Sequence, residues 1–194
     1  MLQEVLISKN LCGMKKSMLL VGILVFGLGA SAQITRATLQ ATGLTCAMCS
    51  NAINKALEKV PFVESVRSDI KNSAFNMVFR NGSTVDIDAL KEAVEGAGFS
   101  VGSLKITGNF SEQQLSADHH FRVGELNFHF LGTEGKLISG EQTLTILDKD
   151  FVTAKEFKKL KSSTRHACYE AGTAGSCCIS EGIAEGERVY HVRI

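Results

Sequence analysis

The sequence predicts an α+β protein in two parts, a βαββαβ unit over residues 33–107 and a smaller β-rich unit over residues 108–194. Three observations carry that reading. Before residue 107, runs of alternating apolar residues are interleaved with runs at helical spacing. After residue 108, short alternating runs separated by Gly predominate. Between the first strand-like run and the first helical run stands Gly43-Leu44-Thr45-Cys46-Ala47-Met48-Cys49, a cysteine pair at a loop-to-helix junction.

The chain opens on an address. Lys15 and Lys16 precede an apolar run from Met18 to Leu28, followed by Gly29-Ala30-Ser31-Ala32. Basic, apolar and small-residue parts in that order predict a signal peptide over residues 1–32, cleaved after Ala32. The apolar run is shorter than the roughly 20 residues that span a bilayer, which disfavours an uncleaved anchor. Met14 begins the basic part directly and is the expected true start. The expectation is export, to a periplasm or out of the cell, with no membrane span after cleavage. Of the six cysteines, Cys12 would leave with this segment.

Ile34 to Thr42 alternates, with one slip, through Ile34, Ala37, Leu39 and Ala41, and predicts the first strand. Thr45 is a candidate cap for a helix from about Ala47, where Ile53, Ala56, Leu57 and Val60 recur at helical spacing. Pro61 ends it. Phe62 to Ile70 is a second strand and Phe75, Met77 and Phe79 mark a third, closed by the turn dipeptide Asn81-Gly82. Asp86 or Asp88 caps a second helix carrying Leu90 and Val94, which ends at Gly96 and Gly98. Phe99 to Ile106 is the fourth strand. This is the order of the ferredoxin-like split unit.

With Gly43-x-Thr45-Cys46-x-x-Cys49, the helix after it and Ala97-Gly98-Phe99 near the last strand, residues 36–106 resemble the heavy-metal-associated domain. That family occurs in copper chaperones, copper-ATPase N-terminal modules and mercury-binding proteins. The resemblance implies that Cys46 and Cys49 bind a soft ion, and that Phe99 packs beneath the loop. It also implies exchange with a metal donor or acceptor protein such as a copper transporter. Two positions depart from the family pattern: Phe62 stands where Gly is usual, and Ser68 falls on a usually apolar face.

The chemistry of the motif stands apart from the family. Soft thiolates select Cu(I), and also bind Zn(II) or Hg(II). Two ligands from one loop leave open positions through which an ion can pass to another thiol site. The end of a helix favours the thiolate form of nearby cysteines. Met48 reads as a loop-packing side chain. Besides soft-metal ligation, a thioredoxin-like redox pair and a plain disulfide stay open for Cys46 and Cys49.

In the second part, Gly108 to Ser116 reads as a linker. Phe121 to Leu131 alternates, with Leu126, Phe128 and Phe130 on one face, so His129 is expected on a solvated one, like His191 in the last strand. His119 and His120 likewise read as solvated polar residues. Gly132-Thr133-Glu134-Gly135 is a turn, then Lys136 to Ile138 and Thr143 to Leu147 are short strands separated at Gly140. Thr153-Ala154-Lys155-Glu156 is a capping box opening the one expected helix, with Phe157 and Leu160 inward. Tyr190, Val192 and Ile194 alternate in the closing strand. An OB-like barrel with one short helix is the expected architecture. His166-x-Cys168 and Cys177-Cys178 form its chemical cluster, read as a disulfide from Cys168 to one of the pair, a second metal site, or unpaired thiols.

Apolar residues at 44% and charged residues at 21% exclude a disordered chain. A net charge of +1 without a long basic run argues against nucleic acid. No nucleotide loop, Ser/His/Asp arrangement or paired-carboxylate pattern points to an enzyme. The sequence therefore predicts an exported carrier or sequestering protein for a soft ion, Cu(I) foremost, with a thiol–disulfide redox protein as the alternative.

Overall fold

A computed structural model describes residues 32–44, 47–132 and 135–194. The expected signal segment up to Ser31, Thr45 and Cys46 of the loop, and Thr133 and Glu134 of the expected turn lie outside the described residues. Among the described residues, no helix is long and apolar enough to cross a membrane.

The first six elements follow the expected order: β1 (Gln33–Thr42), α1 (Ala47–Glu58), β2 (Val63–Asp69), β3 (Ala74–Phe79), α2 (Ile87–Gly96) and β4 (Ser100–Leu115). Their sheet order, β2-β3-β1-β4, is that of the ferredoxin-like split unit. The slip in the β1 alternation is a register shift against β4 between Ile34 and Arg36. It lets Ile34 and then Ala37, Leu39 and Ala41 all face the core. Of the two candidate caps for α2, Asp86 takes the role, accepting from the backbone N–H of Asp88 and Ala89. The two departures from the family pattern are accommodated locally. Phe62 is buried edge-on against Phe79, with ring centroids 5.3 Å apart. The Ser68 hydroxyl donates to Asn54 Oδ1 of α1 at 2.7 Å.

The second part departs from expectation. Residues 108–115 are not a linker but the second half of β4, and residues 31–194 form one compact unit. The remaining strands, β5 (His120–Val123), β6 (Leu126–Phe130), β7 (Lys136–Ile146) and β8 (Val189–Arg193), extend the same sheet. The full order is β2-β3-β1-β4-β7-β8-β6-β5. Among the described residues this is an open mixed sheet rather than an OB-like barrel, because β2 and β5 are its edges and no pairing between them is found there. The two short strands expected around Gly140 are one. Gly140 sits within β7 at φ +65, where β4 carries an irregularity between Phe110 and Gln113.

Instead of one helix, the described residues of this part form three: α3 (Ala154–Ser163), α4 (Ala167–Ala171) and α5 (Ser176–Ile179). Thr153 caps α3 by accepting from the Glu156 N–H at 3.2 Å. Phe157 and Leu160 pack on Leu147, Val152 and Tyr169. On one face of this half of the sheet, Phe121, Phe128, Phe130, Ile146, Tyr190 and Val192 join the main core. The opposite face carries a smaller cluster with Cys168, Cys178 and Val189. Both faces are therefore covered.

Candidate functional site

The loop that follows β1 begins at Gly43, whose φ of +80 suits only glycine without strain. Cys49 lies in the first turn of α1 and is half-buried. Phe99 is partly buried against the main core, as is Leu44. Met48 does not support the loop as the sequence had implied, being 83% exposed. The buried face of α1 is Ser50, Ile53 and Leu57, and position 48 falls off that face.

A second constellation lies in the other half of the sheet. His120, His129 and His191 occupy directly opposed positions on three neighbouring strands, β5, β6 and β8. They form a rung of three imidazoles across the sheet. None is solvated: His129 and His191 are fully buried, and His120 is 7% exposed. The expectation of an exposed polar face fails because α4 and α5 bring Cys168 and Cys178 onto it. His120 stacks on His129 with centroids 4.0 Å apart.

Cys168 of α4 caps the rung. Its Sγ stands 3.5 Å from His129 Nδ1 and 3.4 Å from His191 Nε2. On its other side, Cys177 Sγ lies 3.5 Å from Cys168 Sγ and 3.5 Å from Cys178 Sγ. The structure thus gathers the three cysteines as thiols within 4.8 Å of one another. His166 stands at the edge, with Nε2 at 3.3 Å from Asp118 Oδ2. Asp118 and His166 also line an open cleft of about 1060 Å³, which places the edge of the cluster at the surface.

Asp148, almost fully buried, organises the rung from behind. It accepts from the His191 backbone N–H at 2.8 Å and lies 3.0 Å from His191 Nδ1. An ionised carboxylate can only accept, so in the neutral ring Nδ1 carries the proton and Nε2 turns a lone pair to Cys168. A carboxylate behind a histidine is the usual way to orient a metal-facing imidazole. Arg188 continues the chain, contacting Asp148 at 3.3 Å and Asp88 of α2 at 2.8 Å.

Electrostatics divides the thiols. Burial pushes Cys168 well above the ordinary thiol range and raises Cys178 as well. Burial also acts to raise Cys177, but hydrogen bonding with Cys168, His166 and Cys178 outweighs it and holds this thiol below its ordinary value. Cys168, His191 and Asp148 stand in the line of a nucleophile, base and orienting acid. Burial disfavours the Cys168 thiolate in the metal-free protein, and a soft cation would displace the thiol proton directly.

Burial pulls His129 down to about 2 from 6.5, and pulls His120 down too. Folding therefore holds these rings neutral, while the unfolded chain binds their protons below about pH 6.5. The sign follows: acid favours unfolding, and nothing further is gained above pH 7. The metal-free protein is expected to lose about 2 kcal/mol between pH 7 and 5 from His129 alone. Urea midpoints at the two pH values check this, and His129→Phe should flatten the dependence.

The first half of the sheet thus defines a ferredoxin-like unit with Cys49 in the first turn of α1. Residues 38–100 match the family model of the heavy-metal-associated domain, and this segment is such a domain. A probable copper-transporting ATPase, HMA5, of Arabidopsis thaliana is 29% identical over 82 residues, 42% of this chain and 8% of that protein. Copper-transporting ATPase 2 of Rhizobium meliloti is 34% identical over 98 residues, 50% of this chain and 11% of that protein. The chain therefore spans about a tenth of the length of these curated relatives. Among solved structures, a CopZ metallochaperone is similar at 25% identity and a TM-score of 0.32, covering 34% of this chain and 98% of that one.

The histidine rung was missed by sequence reasoning. The signal available was that the polar positions opposite Phe128 and Tyr190 are filled by His rather than Lys or Glu.

Proposed function

We propose that this protein binds a soft ion, Cu(I) foremost, through Cys46 and Cys49 and passes it to a thiol site on a partner, without catalysing a reaction. The observation that carries the reading is Cys49 in the first turn of α1 within a heavy-metal-associated segment. A loop of two thiolates satisfies the preference of Cu(I) for soft donors while leaving positions open for an incoming ligand. The similarity to the two ATPases above, both described as copper-transporting, supports copper and a transporter as the exchange partner. Zn(II) and Hg(II) suit the same donors. Basic, apolar and small residues before Gln33 support export, with a periplasm or the cell exterior as the site of action.

The test is a Cu(I) titration of the reduced chain against a competing chelator, with metal counted per chain. The double variant Cys46→Ser/Cys49→Ser is expected to lose one equivalent. If it loses none, the loop is not the site. Thiol exchange through this pair without metal uptake would instead establish the redox alternative.

A further inference from the structure

We propose that Cys168, Cys177 and Cys178 form a second, buried site for one soft d10 ion, backed by the histidine rung of His120, His129 and His191. The site is separate in chain and in chemistry from the Cys46/Cys49 loop, and the proposal does not depend on that loop binding copper.

Three observations converge on it. First, the spacing of donors matches that around an ion. Donors bound at the usual zinc–sulfur and zinc–nitrogen lengths lie about 3.3–3.8 Å apart in a tetrahedral shell. Cys168–Cys177 and Cys177–Cys178 are each 3.5 Å apart, and Cys168 is 3.5 and 3.4 Å from His129 and His191. Second, the rung carries an unpartnered polar atom. His120 Nε2 is buried with no hydrogen-bond partner, although buried polar groups are nearly always paired. His129 turns Nδ1 to Cys168 at 3.5 Å and Nε2 toward Asp118 Oδ1 at 3.8 Å, and a ring nitrogen of His120 and of His129 comes within 4.8 Å of Cys168 Sγ. Third, His191 is fixed by Asp148 with Nε2 bare toward Cys168, the orientation a metal-facing imidazole takes.

The thiols are the ligands because three mutually close sulfurs outcompete imidazole for a soft ion. The vicinal pair and Cys168 come from two short helices, α5 and α4, joined by residues 172–175. Cys177 is the outermost of the three, half-buried where the others are fully buried. It is also the thiol beside His166 at the margin of the open cleft. An ion therefore meets Cys177 first and moves inward to Cys168. Binding replaces thiol S–H bonds by metal–sulfur bonds and releases those protons to solvent.

The experiment uses the full chain carrying Cys46→Ser/Cys49→Ser, reduced and anaerobic, so that the first site is silent. It is titrated with Hg(II), and separately with Cu(I) against a competing chelator, with metal counted per chain. One equivalent of a soft ion is expected, with the ultraviolet sulfur-to-mercury band of a three-thiolate complex. Adding Cys177→Ser should weaken binding by at least about 100-fold. Circular dichroism reports whether that half-exposed substitution leaves the fold intact. A second readout needs no variant at this cluster: the bound ion should protect Cys177 from N-ethylmaleimide, scored by mass spectrometry. No uptake by the Cys46→Ser/Cys49→Ser chain, or uptake with Cys177 still alkylated at the metal-free rate, overturns the proposal. Loss of the Cys46/Cys49 equivalent in the wild type would leave this result unchanged, so the two readings fail separately.

Discussion

Replacing Asp148 with Ala is expected to cost about 3 kcal/mol of stability, because it strands several buried groups together. The carboxylate is 3% exposed and serves three partners: the backbone N–H of His191, its ring Nδ1, and Arg188. An alanine leaves the two His191 donors inside the sheet without acceptors. A buried donor left unpaired costs about 1–3 kcal/mol, far more than the net gain of a typical hydrogen bond. Asp148→Asn keeps an acceptor for one of the two donors and should recover part of the loss. Chemical denaturation of the metal-free protein checks both. A cost under about 1 kcal/mol for Asp148→Ala would mean that His191 is held by packing alone.

Arg188→Met is expected to cost about the same and to do so through both halves of the sheet. The guanidinium bonds Asp88 on α2, Asp148, and the backbone carbonyls of Gly172 and Val189. It also lies over the Tyr190 ring, 4.1 Å from its centroid. Methionine keeps much of the stem's packing, so the loss reports the polar contacts. Removing one partner of a largely buried pair leaves the other charge uncompensated, at about 3–5 kcal/mol. Partial exposure of Arg188 and Asp88, 31% and 29%, places the expectation at the low end, about 3 kcal/mol. A double-mutant cycle with Asp88→Asn isolates the contact between Asp88 of α2 and Arg188 just before β8, with an expected coupling above about 1 kcal/mol. Additive losses would show that Arg188 and Asp88 are not energetically coupled.

Most of the first half was legible in the sequence because its determinants are local. Alternation set β1 and β3, Pro61 and Gly98 marked helix ends, and Asp86 offered a cap beside an apolar run. The Cys-x-x-Cys spacing singled out residues 46–49, of which Cys49 lies in the first turn of α1, and Phe99, expected beneath the loop, is partly buried against the main core. Met48 was misread because its helical phase was not compared with that of Ile53 and Leu57. The second half resisted for non-local reasons. Gly108 to Ser116 is polar enough to resemble a linker, yet Phe110 and Leu115 within it are buried by partners on distant strands. Strand order depends on pairings such as β8 between β7 and β6, for which alternation carries no information. A strand with one apolar face looks the same whether its other face meets water or a helix. That ambiguity hid His129 and His191, while His166, Cys168, Cys177 and Cys178 were visible as a cluster without their buried neighbours.

The place of β8 bears on the order in which the molecule can be assembled. It is the last of the described strands in sequence order, yet it lies inside the sheet, parallel to β6 and antiparallel to β7. A polypeptide emerging from its N-terminal end can complete β2-β3-β1-β4 with residues up to about 107 alone. The half with the thiols must wait, since β6 has no link to β7 until residues 189–193 arrive. During that interval β7 and β6 each present an unpaired edge, the kind of surface on which nascent chains misassociate. Synthesis thus imposes a sequence of events in which β1 to β4 can be framed before the histidine rung is closed.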